Sequence, residues 1–517
     1  MIIEAKLAPH TETLPDEVLG QLAEYARVVW KEQPTRTFVP VILLHDVNMT
    51  LFIFARSGYY RAEMGTYLFS DAEGQQYNPF ESLLFLQDLW FLMIQPPNRF
   101  GHFADASIKY MYLHFSGGVL NSEVEVAGVG NTFDVELGNR IAKDIPLMRR
   151  AVYLFRATYK NKPAVLKYSW TPVDRLPEGA VYRVLVLRDI SRIPEIYSSG
   201  ILVKNFFGYR LEYLLMEDCG ETIESRFKKI SGPLASLNDV SDAYADITNV
   251  IYQTVSCLAE AAKFDVFHRD ISAGNITIHK GQVRVIDWGY AKLLNTNTPE
   301  IKDIANEWGF NLGDVTKNEA IHDGMTGTPL FMSIRVLLGR SRRGMLDDIE
   351  SLFYVAMYAL SHLSEGPRAS PAFKVQDNDT AAYVKLGLVT ARKSYLEIFG
   401  VKVCSDDVRA QLDLLYRLLF CRNNQFIGGE LVDNKLDLRD VDQTIMREII
   451  GDDLADEIYG PQVDNINTPT KKAPPKRKTR AAGTRKRASK KPKPDDNSDN
   501  QGYTGPRLRP RPGRSAK

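Results

Sequence analysis

Apolar residues recur along this chain with two different periods, and the change from one to the other divides it. Val18, Leu22, Tyr25 and Val29 step by threes and fours, the spacing of one face of an amphipathic helix. Thr13 precedes them as a cap and Pro15 suits the first turn. The runs "FVPVILLHDV" and "MTLFIFARSG" read as two strands joined by an Asn-containing turn. A second helix is expected around Pro79 to Ile94, followed by the strand-like "YMYLHFSG".

Strands dominate from Phe133 to Met216, in "FDVEL", "AVYLFRATYK", "PAVLKYSW" and "RLEYLLME". The period then changes. Val240, Tyr244, Ile247, Ile251, Val255, Leu258 and Ala262 trace one long helix, and further buried helices are predicted over Asp348–Leu363 and 407–420. A sheet-rich segment followed by a helix-rich one implies α+β architecture with two lobes rather than alternating βαβ units. The expected organisation is an α+β extension over 1–130 packing on the rest, a strand-rich lobe over 131–220, a helix-rich lobe over 221–455, and a tail over 456–517. "TPTKKAPPKRKTRAAGTRKRASKKPKP" is rich in Pro, Lys and Arg and nearly free of large apolar residues. Such a segment cannot offset its ordering entropy by burial, so the tail is expected to be disordered.

At 44% apolar and 25% charged residues the chain has the composition of an ordinary soluble protein. Its apolar runs are too short or too polar to span a bilayer, and "MIIEAKLAPHTETLPDE" lacks the form of a signal peptide; no membrane association is expected. Four cysteines without metal-ligand spacing argue against a zinc site or a disulfide framework and for a reducing, intracellular compartment.

Charge is distributed unevenly. From Lys471 to Lys517 there are 17 Lys and Arg against 3 Asp, a net +14, which leaves −13 on the preceding 470 residues of a chain whose total is +1. The basic tail has three readings: a solvated end, a two-cluster address for a nuclear import receptor, or a non-specific, salt-sensitive contact with nucleic-acid phosphates.

Candidate chemistry is concentrated in "FHRDISAGNITIHKGQVRVIDWG", Phe267 to Gly289. Asn275 follows Asp270 by five residues, and Asp287 follows Asn275 by twelve. Between them two short alternating runs flank Gly281, a hairpin signature. A turn centred on Gly281 sets Ile276 opposite Ile286 and brings Asn275 and Asp287 to the same end. An amide oxygen and a carboxylate placed together are hard ligands suited to magnesium and to nucleotide phosphates. Asp270, on the preceding irregular loop, could accept a proton from an incoming hydroxyl.

This pattern resembles the protein-kinase catalytic loop followed by its metal-binding D-x-G. "HRDISAGN", "IDWG", "GTPLFMS" and "DDIESLFYV" together resemble the fungal-type protein kinases, with casein kinase one-like features at "SRR" and "DDIES". The resemblance is strong over roughly 160–363, weaker over 35–160 and 364–430, and absent in the tail. It implies a bilobal kinase-like fold, ATP and Mg2+ as cofactors, and phosphoryl transfer to a protein hydroxyl, with serine or threonine favoured.

Carried over residue by residue, His268, Arg269 and Asp270 belong to the catalytic motif, with Asp270 as base, while Asn275 and Asp287 bind magnesium. Lys167 of "PAVLK" would place the phosphates, and Glu178, at a helix start, would pair with it, with Glu195 in reserve. Met216, Glu217 and Cys219 would form the hinge beside the adenine. Asp348 would anchor the catalytic loop's backbone.

Departures from the pattern define the alternatives. "KDIPLMRRAVYLF" has no glycine where a glycine-rich loop should approach the phosphates; Arg149 or Arg150 could supply charge there. Ser272 stands where many serine/threonine kinases have a lysine, and Arg335 replaces the glutamate of A-P-E. A pseudokinase or scaffold, and a small-molecule phosphotransferase of the aminoglycoside or choline kinase type, are the rival readings. Arg269 beside Asp270 also suggests dependence on an anion in the following segment, with Thr316, Thr326 and Thr328 as phosphorylation candidates. Removing 468–517 from a tagged protein is expected to shift it out of the nucleus, as seen by microscopy; an unchanged distribution reduces the tail to a solvated end.

Overall fold

The computed structural model describes residues 2–6, 16–66, 115–140, 151–230, 237–317 and 327–460, the second, third, fourth and last of these with interruptions. The expected helix at 79–94, Arg149, Arg150, Thr326, the side chain of Thr316 and the whole basic tail lie outside the described residues. Among the described residues no helix is long and apolar enough to cross a membrane.

The extension contains a four-stranded sheet, β1 (Ile2–Lys6), β2 (Phe38–His45), β3 (Asn48–Ala55) and β4 (Gly58–Thr66), in that order, with β1 parallel to β2. The parallel first strand is too short to announce itself in the sequence. Helix α1 (Asp16–Glu32) lays Leu22, Ala26 and Trp30 on Val39, Val41, Phe52 and Phe54. Arg56, 2% exposed at the β3–β4 turn, ties this layer to the next. Its guanidinium lies 4.2 Å above the Trp30 ring and donates to the Tyr153 hydroxyl. Phe38 stacks on Phe206, with ring centroids 5.7 Å apart.

Tyr153 and Phe206 belong to a six-stranded sheet. Its strands are β5 (Glu123–Gly128), β6 (Asn131–Arg140), β7 (Ala151–Tyr159), β8 (Lys162–Pro172), β9 (Ile196–Phe206) and β10 (Tyr209–Glu217), in the spatial order β9-β10-β8-β7-β6-β5. The boundary expected at residue 130 therefore falls inside the β5–β6 hairpin. Leu166, Tyr168 and Trp170 alternate on one face of β8, fully buried with Tyr153, Phe155 and Leu215. Strand period two sends the intervening Lys167 and Ser169 to the opposite face. Helix α2 (Glu178–Leu187) crosses after β8.

The helical lobe is built on α4 (Leu237–Ala262) and α7 (Met345–His362), which pack together with α3 (Ile223–Ile230) and α9 (Asp406–Phe420). Every residue of α7 is buried, so its polar first turn must find partners inside the protein. Before α3 lies β11 (Glu221–Thr222). Between α4 and α7 lie β12 (Val266–Phe267), β13 (Ile276–His279), β14 (Gln282–Val285) and β15 (Lys292–Leu293), then α5 (Pro299–Trp308) and the single turn α6 (Ile334–Leu337). Helix α8 (Asn378–Thr390) follows α7. This is an α+β, kinase-like arrangement of a sheet lobe and a helical lobe.

Trp30 is fully buried under the guanidinium that joins the two layers. Trp30→Ala is expected to cost about 3–5 kcal/mol, read as a lowered midpoint in urea denaturation, with Trp30→Phe recovering part of the loss.

Candidate active site

Helix α4 delivers the chain into a loop whose backbone is fixed before any of its side chains acts. Arg269 adopts φ 68° and Asp287 φ 61°, left-handed conformations that only well-determined surroundings maintain. The restraint comes from α7. Asp348, fully buried, accepts from the peptide N–H groups of His268 and Arg269, each at 2.9 Å. Burial pushes its carboxyl up to about 7 against those two donations.

The motif places His268 among the catalytic side chains, but in the structure it is fully buried and serves the loop's scaffold instead. Its Nδ1 accepts from Asp270 N at 3.2 Å, which leaves Nε2 to donate to Ile286 O at 3.0 Å. The Trp288 ring meets it edge-on, centroids 4.6 Å apart. His268 therefore links the loop to the end of the β13–β14 hairpin. Trp288, in the D-W-G triplet, fills the core and donates Nε1–H to Val285 O at 3.1 Å.

The hairpin turns on two residues, Lys280 (φ 50°) and Gly281 (φ 75°), both left-handed, the geometry that matches strand twist. Its register is one residue from the expected one: Ile276 pairs with Val285, not Ile286. Asn275 O instead accepts from Ile286 N at 2.9 Å. The consequence expected from the turn still holds, with Asn275 and Asp287 at one end of the hairpin.

Asp270 is oriented through both oxygens. Oδ2 accepts from Asn275 Nδ2 at 3.2 Å, and the same amide reaches Asp270 O at 2.8 Å. Oδ1 accepts from Thr328 N at 3.0 Å and Thr328 Oγ1 at 3.3 Å. Thr328, one of the phosphorylation candidates, is thus engaged with the catalytic loop. Gly327 (φ 112°) permits the approach, since a Cβ there would lie 3.0 Å from Arg269 O and 3.2 Å from Asp270 Oδ1. With the Asn275 amide nitrogen directed at Asp270, its oxygen is the atom left for a cation.

Lys167 crosses the cleft. Its Nζ sits 2.7 Å from Glu178 Oε2 and 2.9 Å from Asp287 Oδ1. Lys167 and Glu178 are each 3% exposed, while Asp287 keeps 25% of its side chain open. A buried ammonium between two carboxylates is compensated in charge, and the partly open carboxylate faces the cleft. Glu195, the reserve partner, is exposed on the hinge side, 3.9 Å from Lys162; its N–H donates to Glu217 Oε2 at 3.1 Å and its carbonyl accepts from Glu217 N. Met216 is buried at the end of β10, where Glu217 N donates to Glu195 O at 2.9 Å. Burial pushes the Cys219 thiol up to about 12, so it stays protonated there.

Three features of the site carry no recognisable signal in the sequence. Glu212 on β10 accepts from Glu178 N at 2.9 Å and from Thr171 Oγ1, capping the helix that carries Glu178. Arg210, 1% exposed, pairs with Glu212 and donates to the carbonyls of Val173 (3.0 Å) and Arg175. "YRLEY" reads as a strand whose charged side chains alternate outward, and only the fold turns them inward.

The second feature replaces A-P-E. Arg335 pairs with Asp347, which also accepts from Ser333 Oγ at 2.7 Å and Gly344 N at 2.8 Å. Glu350 Oε1 accepts from Ile334 N and Tyr354 Oη, each at 2.8 Å. Buried Lys385 on α8 donates to Met332 O at 2.6 Å and lies 4.1 Å above the Tyr354 ring. Burial lowers the Lys385 pKa and raises that of Glu350. The third is a small cleft beside the loop, lined by Arg175, Arg269, Tyr290 and Lys292, with the Arg175 guanidinium 4.9 Å above the Tyr290 ring.

A buried Lys–Glu pair joined to a partly open Asp across two lobes, with an oriented carboxylate on a loop gripped from below, is the constellation of a protein kinase. The model of the fungal protein kinase family matches residues 1–205 and 210–360. The chain belongs to that family. Cyclin-dependent kinase-like 4 of Mus musculus is similar at 28% identity over 148 residues, which cover 28% of this chain and 40% of that protein's length. The family match extends through the first 130 residues, so the extension is part of what the family shares.

Glu212→Ala would leave Arg210 as an uncompensated buried charge. A stability loss of about 3–5 kcal/mol is expected, measured by chemical denaturation; Glu212→Gln, which keeps an acceptor for Glu178 N, should lose less.

Proposed function

We propose that this protein transfers the γ-phosphoryl group of ATP to a serine or threonine hydroxyl of a protein substrate. The observation that carries the proposal is Asp270, whose carboxylate is held through both oxygens, by Asn275 on one side and Thr328 on the other. A carboxylate fixed in this way, on a partly open loop, suits a general base or a group that orients an incoming hydroxyl. Gly327 and Thr328 bound the approach to it, which favours the short reach of an aliphatic hydroxyl.

The residues fit the implied cofactors. Asn275 offers an amide oxygen and Asp287 a carboxylate at the same hairpin end, hard ligands appropriate to Mg2+ when phosphates complete the shell. Bound magnesium–ATP would supply the phosphoryl group and neutralise the charge that develops on it. Lys167, held by Glu178 and Asp287, would receive the phosphates, and Met216, Glu217 and Cys219 would flank the base. No covalent step falls to the protein. Its residues position the two oxygens in line, and Asp270 receives the hydroxyl proton. The family match and the segment from Gly327 to Arg335, pinned by Asp347, Glu350 and Lys385, support a protein rather than a small molecule as acceptor.

Labelled ATP with magnesium and a mixed peptide library tests this directly. Label on serine and threonine supports the proposal, and label on tyrosine alone refutes the acceptor assignment. Asp270→Ala is expected to lower transfer by a factor of about 10³ or more while nucleotide-induced thermal stabilisation persists. Asp287→Ala should lose both. Wild-type turnover in both variants refutes the site.

A further inference from the structure

Helix α5 lies in the segment that follows Asp287 and contributes no residue to the site around Lys167 and Asp270. It is a well-formed element. Thr298 Oγ1 accepts from Ile301 N at 3.4 Å, Pro299 opens the first turn, and Gly309 ends the helix at φ 67°. Ile301, Ile304, Ala305 and Trp308 step by three, one and three and are all buried, so the helix has one apolar face that must be covered.

The element that meets it is α2, the helix whose first residue is Glu178. The two helices approach closely at Gly179, immediately after the glutamate. A Cβ at Gly179 would lie 2.7 Å from Trp308 Cη2 and 2.7 Å from Ser199 Cβ. Glycine is unfavourable inside a helix, and here it makes room for the indole. Two ion pairs flank the contact: Arg183 with Glu307, and Arg188 with Glu300 at 3.2 Å. Both are substantially exposed, so each contributes little energy, but together they fix how the two helices register.

Helix α2 needs such support. It has ten residues, too few to be stable alone, and its last two, Val186 and Leu187, are more than half exposed. Its N-cap residue, Pro177, offers no side-chain hydrogen bond, and the cap comes from Glu212 on a neighbouring strand. The remaining face, with Ala180, Val181 and Val184, is buried in the same core as the apolar stripe of α5.

We propose that α5 is a built-in activating element and that Trp308 is its positioning residue: pressed against Gly179, it keeps Glu178 on Lys167. The inference rests on the phosphotransfer reading and adds that the chain holds its own α2 in the productive position without a partner protein. Trp308 touches neither nucleotide nor acceptor; it acts through Glu178.

The test uses the full chain and two readouts, phosphoryl transfer and amide hydrogen exchange of residues 180–187. Trp308→Ala is expected to lower kcat about tenfold or more and to speed exchange in α2 by a similar factor, with Trp308→Phe restoring most of both. In a Glu178→Gln background, Trp308→Ala should cause no further loss of transfer, because its effect is already spent. Arg183→Glu and Glu307→Arg should each lower transfer about two- to threefold and restore it when combined, a pair of surface changes that spares the core. Unchanged transfer and exchange in Trp308→Ala, or losses that multiply with Glu178→Gln, overturn the proposal. If wild-type protein transfers no phosphate but Trp308→Ala still loosens α2, the phosphotransfer reading falls and the clamp stands.

Discussion

Two peptide N–H groups donated to one buried carboxylate hold the rest of the site in place. Asp348 lies at the start of a helix with no solvent-exposed residue, and it receives His268 N and Arg269 N together. Those donors force the left-handed backbone at Arg269, which in turn aims Asp270 and seats His268 under the hairpin. Its neighbours in the same turn grip the opposite wall. Asp347 holds Ser333 and Arg335, and Glu350 holds Ile334. The loop that carries Asp270 and the segment from Ser333 to Arg335 are thus referred to a single rigid turn, three carboxylates within four positions. Such a concentration of buried acids is costly unless its oxygens find donors, and here backbone N–H groups, two hydroxyls and an arginine supply them.

The sign of charge at the A-P-E position is reversed, yet the mechanical outcome is retained. A glutamate there would need a cation; Arg335 finds Asp347 instead, and buried Lys385 approaches the same segment from α8 through the carbonyl of Met332. Departures from a familiar motif can therefore be compensated locally. The stretch without glycine before β7 lies outside the described residues.

Much of this is legible in the sequence because it rests on local pattern. Long helices announce themselves by period, the β13–β14 hairpin by its turn residues, and the catalytic loop by residue types at fixed spacing. The Lys167–Glu178 pairing comes from the resemblance to the kinase pattern, which keeps Glu195 in reserve, and the structure places Glu178 on Lys167. The parts that stay hidden depend on which face of an element turns inward. Strand β9 escapes notice because "IYSSGILVKNF" contains a glycine and three register shifts against β10, so its alternation is broken. Arg210 and Glu212 resemble the solvent-facing residues of an edge strand, and nothing within five residues reveals that α2 needs a cap from them. The expected hairpin register is one residue out because Gly281 is the second of two turn residues rather than the centre of the turn.

That last difference exposes a rule about length. The distance along the chain from Asn275 to Asp287 is set by two strands and a two-residue turn, and side chains on paired strands alternate between faces. Lengthening both strands by one residue each keeps the two ends level but carries Asn275 and Asp287 to the other face. Adding two to each returns them. The hairpin behaves as a ruler marked only in steps of two per strand, so insertion or deletion between Asn275 and Asp287 is restricted by parity as well as by size.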